Sequence, residues 1–304
     1  MGNFSLAIVR IGEFVVCPGF LLLDSRTSMS FVLKQVADVG SANPIVARLS
    51  LQFSSILDFY QLDDEFKKSI FGILHNDIQK RLISCDKIAT DIASEVEAAI
   101  TALQKNGLNT QSAGWLVESP HILNLEERLE SYLYNAKSCL RDALKIYNKF
   151  FGSTFTEARF DKAISWAEKE FGDNDPIVKF LKVDHGLWIH KVVKMRNAAE
   201  HPGGHSGHLH IKNFEVDTTS NPPSIHEPLW YLNDEQPTPI RGDLHVFVNN
   251  ILELTEDMVL SALSKQEKPE LVAILEIPEN QRREEAPIRF RMGLAQEIES
   301  KSGS

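Results

Sequence analysis

The sequence predicts a mainly α-helical protein: a four-helix bundle with a β-hairpin insertion, a helical N-terminal region and a short β tail at the C-terminus. Three observations carry that prediction. Across residues 129–262 apolar residues recur at steps of three and four, the spacing that lays one stripe along an α-helix. Glycines that end helices, and proline or cap residues that start them, separate the stripes. A polar, proline-containing segment at 202–241 interrupts them and holds two short runs with strand character.

The first forty residues read as a β-like pair around Pro18-Gly19 and a short helix near 29–39. Asn43-Pro44 then marks a helix start, because proline at the first helical position gives up an N–H that has no partner there. Phe66, Ile70, Ile73, Leu74, Ile78 and Leu82 predict one helix; Ile88, Ile92, Val96, Ala99 and Leu103 predict a second, closed by Asn106-Gly107. Residues 108–120 read as a linker. Leu129, Leu133, Ala136, Leu140, Ala143, Tyr147 and Phe150 form the clearest stripe, with Gly152 just past its end. Thr154-Phe155-Thr156-Glu157 has the form of a capping box and predicts a helix burying Phe160, Ile164, Ala167 and Phe171. Asp175-Pro176 opens the next, with Leu181, Trp188, Val192, Met195 and Ala199 on its stripe. After two runs that pair as a hairpin, 208–216 and 224–232, a last helix carries Leu244, Phe247, Ile251, Leu254, Met258 and Ala262. Two strands follow, at 271–277 and 288–292. The expected division is a mostly helical region at 1–120, a bundle at 121–265, and a strand pair with tail at 266–304.

Composition narrows the function classes. The 304 residues are 43% hydrophobic and 24% charged, which fits a folded globular chain rather than a disordered one. A formal charge of -10 argues against coating nucleic acid nonspecifically, yet leaves room for a local basic groove. Cys17, Cys85 and Cys139 have no paired or metal-ligand spacing and fit a reducing, cytoplasmic setting. The apolar run 14–23 is broken by Pro18-Gly19 and is too short to span a bilayer, so no membrane association is expected. MGNFSL places its serine one position early for a myristoylation signal. Gly-rich phosphate loops, serine elbows and His-Glu-x-x-His are absent from the sequence.

The chemistry concentrates in KMRNAAEHPGG, residues 194–204. Arg196 and His201 are five positions apart, which on a continuing helix separates them by about 140°. Pro202 disfavours helical dihedrals at His201, and Gly203-Gly204 permits a sharp exit, so the histidine is expected to leave the helical path. Arg196 follows Ile189 and Val193 along the flank of the apolar stripe.

On these residues the chain resembles the HEPN superfamily (higher eukaryotes and prokaryotes nucleotide-binding). The pattern is an arginine, a polar residue and a histidine four to six residues after the arginine, carried on the third helix of a four-helix bundle. Arg196, Asn197 and His201 meet it, and the resemblance covers about residues 125–265. The hairpin insertion and the N-terminal third fall outside the family pattern. The resemblance implies a metal-independent endoribonuclease with no cofactor, acting as a homodimer on RNA, in a toxin–antitoxin or phage-defence setting with an antitoxin or defence partner protein. Arg196 and His201 would be catalytic, with Asn197 orienting the phosphate or the histidine. A histidine can exchange the 2′-hydroxyl proton near neutral pH, and a guanidinium can stabilise the charged transition state. His190, Lys191 and Lys194 share the motif's helix and are expected to bind RNA; reversing charge at Lys191 and Lys194 should weaken it.

Rival readings use the same residues. Arg196 can pair with Glu200, four residues on, in a non-catalytic interaction protein. His201, His205, His208 and His210 can hold Zn²⁺, although no cysteine or acidic residue lies among them. Asn135, Lys137 and Ser138 put polar groups on an otherwise apolar helix; they can face the same cleft as the motif, and an exposed polar face is the favoured reading.

Overall fold

The computed structural model describes residues 39–106, 109–110, 117–217, 219, 224–267 and 272–294. The expected strand pair near Pro18-Gly19, Cys17 and most of the short helix at 29–39 lie outside them. Chain contacts group residues 62–267 into one unit, and residues 1–61 with 268–304 into another. These boundaries differ from the expected ones because the helices after residue 62 pack on the bundle and the C-terminal strands pack on the segment before it.

In the smaller unit, α1 (Pro44–Val46), a π-helical turn (Ala47–Gln52) and α2 (Phe53–Asp58) run on without a break. The Asn43 side chain accepts the Ile45 N–H and Pro44 occupies the first turn, as the sequence indicates. Two strands of this unit, Val272–Glu276 and Phe290–Leu294, pair antiparallel with Ile274 opposite Met292. The buried Gln52 carboxamide oxygen accepts the N–H groups of Arg289 and Phe290, both at 2.7 Å, so one side chain satisfies two donors at a strand start.

The larger unit is the helical bundle. α3 (Asp64–Phe71), a π-helical stretch (Gly72–Gln79) and α4 (Lys80–Asn106) form one continuous helical run where the sequence suggests two helices. No glycine or proline stands at 83–87, and Ser84 returns its hydroxyl to the Lys80 carbonyl inside the helix, so nothing ends it there. Within the expected linker, β1 (Asn109–Thr110) pairs with β2 (Val117–Glu118).

α5 (Leu125–Phe151) is central, packing on α4 and on both later long helices. Its predicted stripe from Leu129 to Tyr147 is buried, each large apolar side chain adding about 1.5–3 kcal/mol on transfer from water. Polar pins fix the register: Tyr132 donates to the Leu244 carbonyl at 2.6 Å, and the Tyr147 and Ser261 hydroxyls meet at 3.0 Å. Gly152, with φ 70°, ends the helix.

The expected capping box does not form. Residues 152–159 stay irregular, and α6 (Phe160–Phe171) starts after Arg159 with no side-chain cap. Asn148 explains the change: its amide bonds to both the N–H and the carbonyl of Phe155 and accepts the Ser153 hydroxyl, holding this stretch as a loop. α7 (Pro176–Asp184) begins as expected, with Asp175 accepting the Ile177 N–H. It continues through a π-helical turn (His185–Ile189) into α8 (His190–Glu200).

The hairpin forms. β3 (Leu209–Lys212) pairs with β6 (Leu229–Leu232), and β4 (Glu215–Asp217) with β5 (Ser224–His226), in one continuous antiparallel register. Asn213 sits at the break between the two ladders, where its amide bonds the N–H and carbonyl of Ile122 ahead of α5. β7 (Thr238–Pro239) adds to β6 and leads into α9 (Ile240–Ser264), whose six predicted apolar markers are all buried. The strands of the smaller unit are β8 (Val272–Glu276) and β9 (Phe290–Leu294). The long helices of the bundle are thus α4, α5, α7–α8 and α9, so the N-terminal segment supplies one of them and α6 is a short helix packed on α7. The architecture is mainly α with small sheets. Among the described residues, no helix is long and apolar enough to cross a membrane.

Candidate functional site

The end of α8 behaves as its sequence requires. His201 leaves helical geometry, with φ -134° and ψ 73°, while its N–H still reaches the Asn197 carbonyl at 2.9 Å. Gly204 then donates to the His201 carbonyl, closing a tight turn, and Gly203 and Gly207 both adopt positive φ. Gly207 is needed twice over. Its φ is 78°, and a Cβ there would stand 1.9 Å from the Asn233 amide oxygen, which accepts the His208 N–H. The motif's exit turn is therefore tied to the base of the hairpin.

The predicted site residues are not drawn into one contact. Arg196 lies at the edge of the α5–α8 packing with its side chain only 15% exposed. Its guanidinium pairs with Glu200 at 3.3 Å and rests 5.6 Å from the centre of the Tyr134 ring. Asn197 accepts a 2.6 Å hydrogen bond from Lys137 of α5. His201 is exposed. Among the described residues, no hydrogen bond or ring contact joins its imidazole to Arg196.

The expected RNA contacts separate. Lys191 is not a free cation: its ammonium is held by Asp243 at 3.1 Å and lies over the Phe247 ring. The same carboxylate oxygen accepts the Trp230 indole N–H at 2.8 Å and the Thr238 hydroxyl at 2.6 Å, so Asp243 joins α8, the hairpin and α9. Lys194 and His190 remain exposed. Burial, then the positive charges of Lys194 and His185, hold the His190 imidazole below its ordinary value.

Of the three polar residues singled out on α5, one meets the motif. Lys137 faces the motif as described; Asn135 turns back to the Ser131 carbonyl, and Ser138 is buried rather than exposed. Further along α5, the Asp142 carboxylate is fully buried among Arg141 (2.9 Å), Lys145 (3.0 Å) and Arg81 (3.5 Å), and Lys145 also reaches Asp77. Burial alone would raise the Asp142 carboxyl; hydrogen bonds from Arg141 and Lys145 outweigh it and hold it below the usual aspartate range. The spacing 134, 137, 141, 145 was the available signal, since those positions share one helix face.

The histidines after the motif are engaged separately. His210 stacks on its cross-strand partner Tyr231 at 4.7 Å, and the His208 ring packs against Gly203. Among the described residues, no three His, Cys, Asp or Glu side chains are grouped to hold a metal ion. A groove of about 860 Å³ along α4, bordered by Glu97, Ala98, Lys105, Arg241 and His245, includes no motif residue.

Compared with family models, curated proteins and solved structures, the chain matches none.

Proposed function

We propose that the chain is a HEPN-like, metal-independent endoribonuclease. The observation that carries this reading is the end of α8: His201 turns out of the helix into solvent one turn beyond a guanidinium held at a helix edge, within a surface lined by Lys137 and Asn197. In the reaction, the imidazole takes the proton of a ribose 2′-hydroxyl and the 2′-oxygen attacks the adjacent phosphorus. The bond to the 5′-oxygen breaks, and that oxygen leaves with a proton returned by the imidazolium or by water. The products are a 2′,3′-cyclic phosphate and a 5′-hydroxyl. Negative charge that builds on the phosphoryl oxygens is stabilised by Arg196. A homodimer that faces two such helix ends would bring a second Arg–His pair to the same phosphate. The toxin–antitoxin or phage-defence setting, with its partner protein, rests on the family resemblance.

One observation favours a second reading. The Arg196–Glu200 pair and the low exposure of Arg196 suit a non-catalytic bundle protein in which the arginine secures the helix end. Purified wild type, Arg196→Ala and His201→Ala, incubated with RNA in chelator, separate the two. The nuclease reading expects cleavage by wild type alone, with cyclic phosphate ends; the second expects no cleavage and lowered thermal stability in Arg196→Ala only.

A further inference from the structure

The helix face of α5 that points away from the core carries a row of groups that the motif does not explain. Tyr134, Lys137, Arg141 and Lys145 fall at steps of three and four, within about 80° of helical arc and over about 16 Å of helix length. Tyr134 is 51% exposed, unusual for a large ring, and one edge of the row is formed by Arg196 against that ring. Arg81 from α4 lies on the other edge, through Asp142. Five cations (Arg81, Lys137, Arg141, Lys145 and Arg196) face three carboxylates (Asp77, Asp142 and Glu200), and exposed Glu130 stands one turn before Tyr134 on the same arc, which leaves a small local positive balance in a chain of formal charge -10. Lys137 has the neutral Asn197 as its partner, so its charge is uncompensated by that contact.

We propose that this face is a track for single-stranded RNA, with a base stacked on the Tyr134 ring and successive phosphates on Lys137, Arg141 and Lys145. The proposal rests on the ribonuclease reading and deepens it by naming the form of the substrate. An exposed aromatic beside a line of cations is the arrangement that binds single strands, because every base has a π-face to stack and every phosphate a charge to neutralise. A duplex hides its bases and cannot use the ring. Asp142 and Asp77 hold the Arg141 and Lys145 side chains in place, so the cations are ordered before RNA arrives.

The test uses the full chain carrying His201→Ala, so that binding is read without cleavage, and a fluorescent twelve-nucleotide oligoribonucleotide. Anisotropy is followed against salt concentration for that parent and for added Tyr134→Leu, Tyr134→Phe and Lys137→Gln, all on exposed or half-exposed positions, with thermal melts to show folding. Tyr134→Leu should weaken single-strand binding about tenfold and Tyr134→Phe should retain it. Lys137→Gln should weaken binding and reduce the salt slope by about 0.7, one phosphate contact. The same strand in a duplex should bind less tightly and be indifferent to Tyr134→Leu. The track is overturned if Tyr134→Leu binds as the parent does, if duplex and single strand respond alike, or if sedimentation shows that Tyr134→Leu merely dissociates a dimer. Cleavage by wild type together with Tyr134-independent binding sinks the track and spares the nuclease. Tyr134-dependent binding with no cleavage by wild type does the reverse.

Discussion

Replacing Asp243 with alanine should destabilise the helical bundle by about 3–4 kcal/mol. One carboxylate oxygen accepts three donors, from Trp230, Thr238 and Lys191. Trp230 is fully buried, so its indole N–H would lose its partner at a cost of about 2 kcal/mol. The Thr238 hydroxyl can rotate toward another acceptor and contributes less, roughly 0.5–1 kcal/mol. The Lys191 pair is partly solvated, with side chains 31% and 24% exposed, and its share is discounted to about 0.5–1 kcal/mol. For a unit of roughly 200 residues, such a loss lowers the melting temperature by about 10 °C. Asp243→Asn keeps an acceptor and should fall midway. Lys191→Gln leaves the Trp230 and Thr238 bonds intact and should cost only about 2–4 °C. Calorimetry or a circular-dichroism melt at 222 nm reads all three. An Asp243→Ala melt within about 2 °C of wild type would refute the assignment of Asp243 as the junction of α8, hairpin and α9. The ordering also bears on RNA: substitution of Lys191 should change stability and leave affinity nearly untouched.

Asp142 should make stability acid-sensitive. Its folded carboxyl lies below the usual range, so its contribution is present above about pH 4 and is lost as pH falls through the lower folded value; Asp142→Asn should flatten the acid limb of urea midpoints measured from pH 7 to pH 2, and an unchanged limb would contradict it. Gly207→Ala should cost at least about 1–3 kcal/mol, because positive φ and the Asn233 contact both oppose a Cβ; Gly242→Ala, with open space around it, should not destabilise, as paired melts would report. Burial pushes the Cys85 and Cys139 thiols up, so in a Cys17→Ser background iodoacetamide should leave native protein unlabelled and modify both in denaturant, by intact mass; native labelling would contradict that.

The stripes of α5 and α9 were legible because each rests on a periodic set of large apolar residues that can be buried on only one face. Asn43-Pro44, Asp175-Pro176 and Gly152 were legible because their roles are local and stereochemical. The hairpin runs were found, although the Asn213 hook that divides their ladder depends on a residue 91 positions away. The π-helical turns were not legible: Gly72–Gln79 and His185–Ile189 each contain a glycine but no proline, which does not distinguish a π-turn from an ordinary helical one, and only the register of the buried face shows the extra residue. The capping-box pattern failed because Asn148, on the preceding helix, satisfied Phe155 first. At the motif, Pro202 and the glycines foretold the turn, while the fates of Lys191 and Lys137 were set by Asp243 and Asn197, 52 and 60 residues distant.

The most direct measurement is the end chemistry of RNA incubated with purified full-length protein in excess chelator, alongside Arg196→Ala and His201→Ala. Fragments bearing 2′,3′-cyclic phosphates from wild type, with both variants inactive yet folded, are the predicted result. Intact RNA with wild type, or equal cutting by His201→Ala, would contradict it.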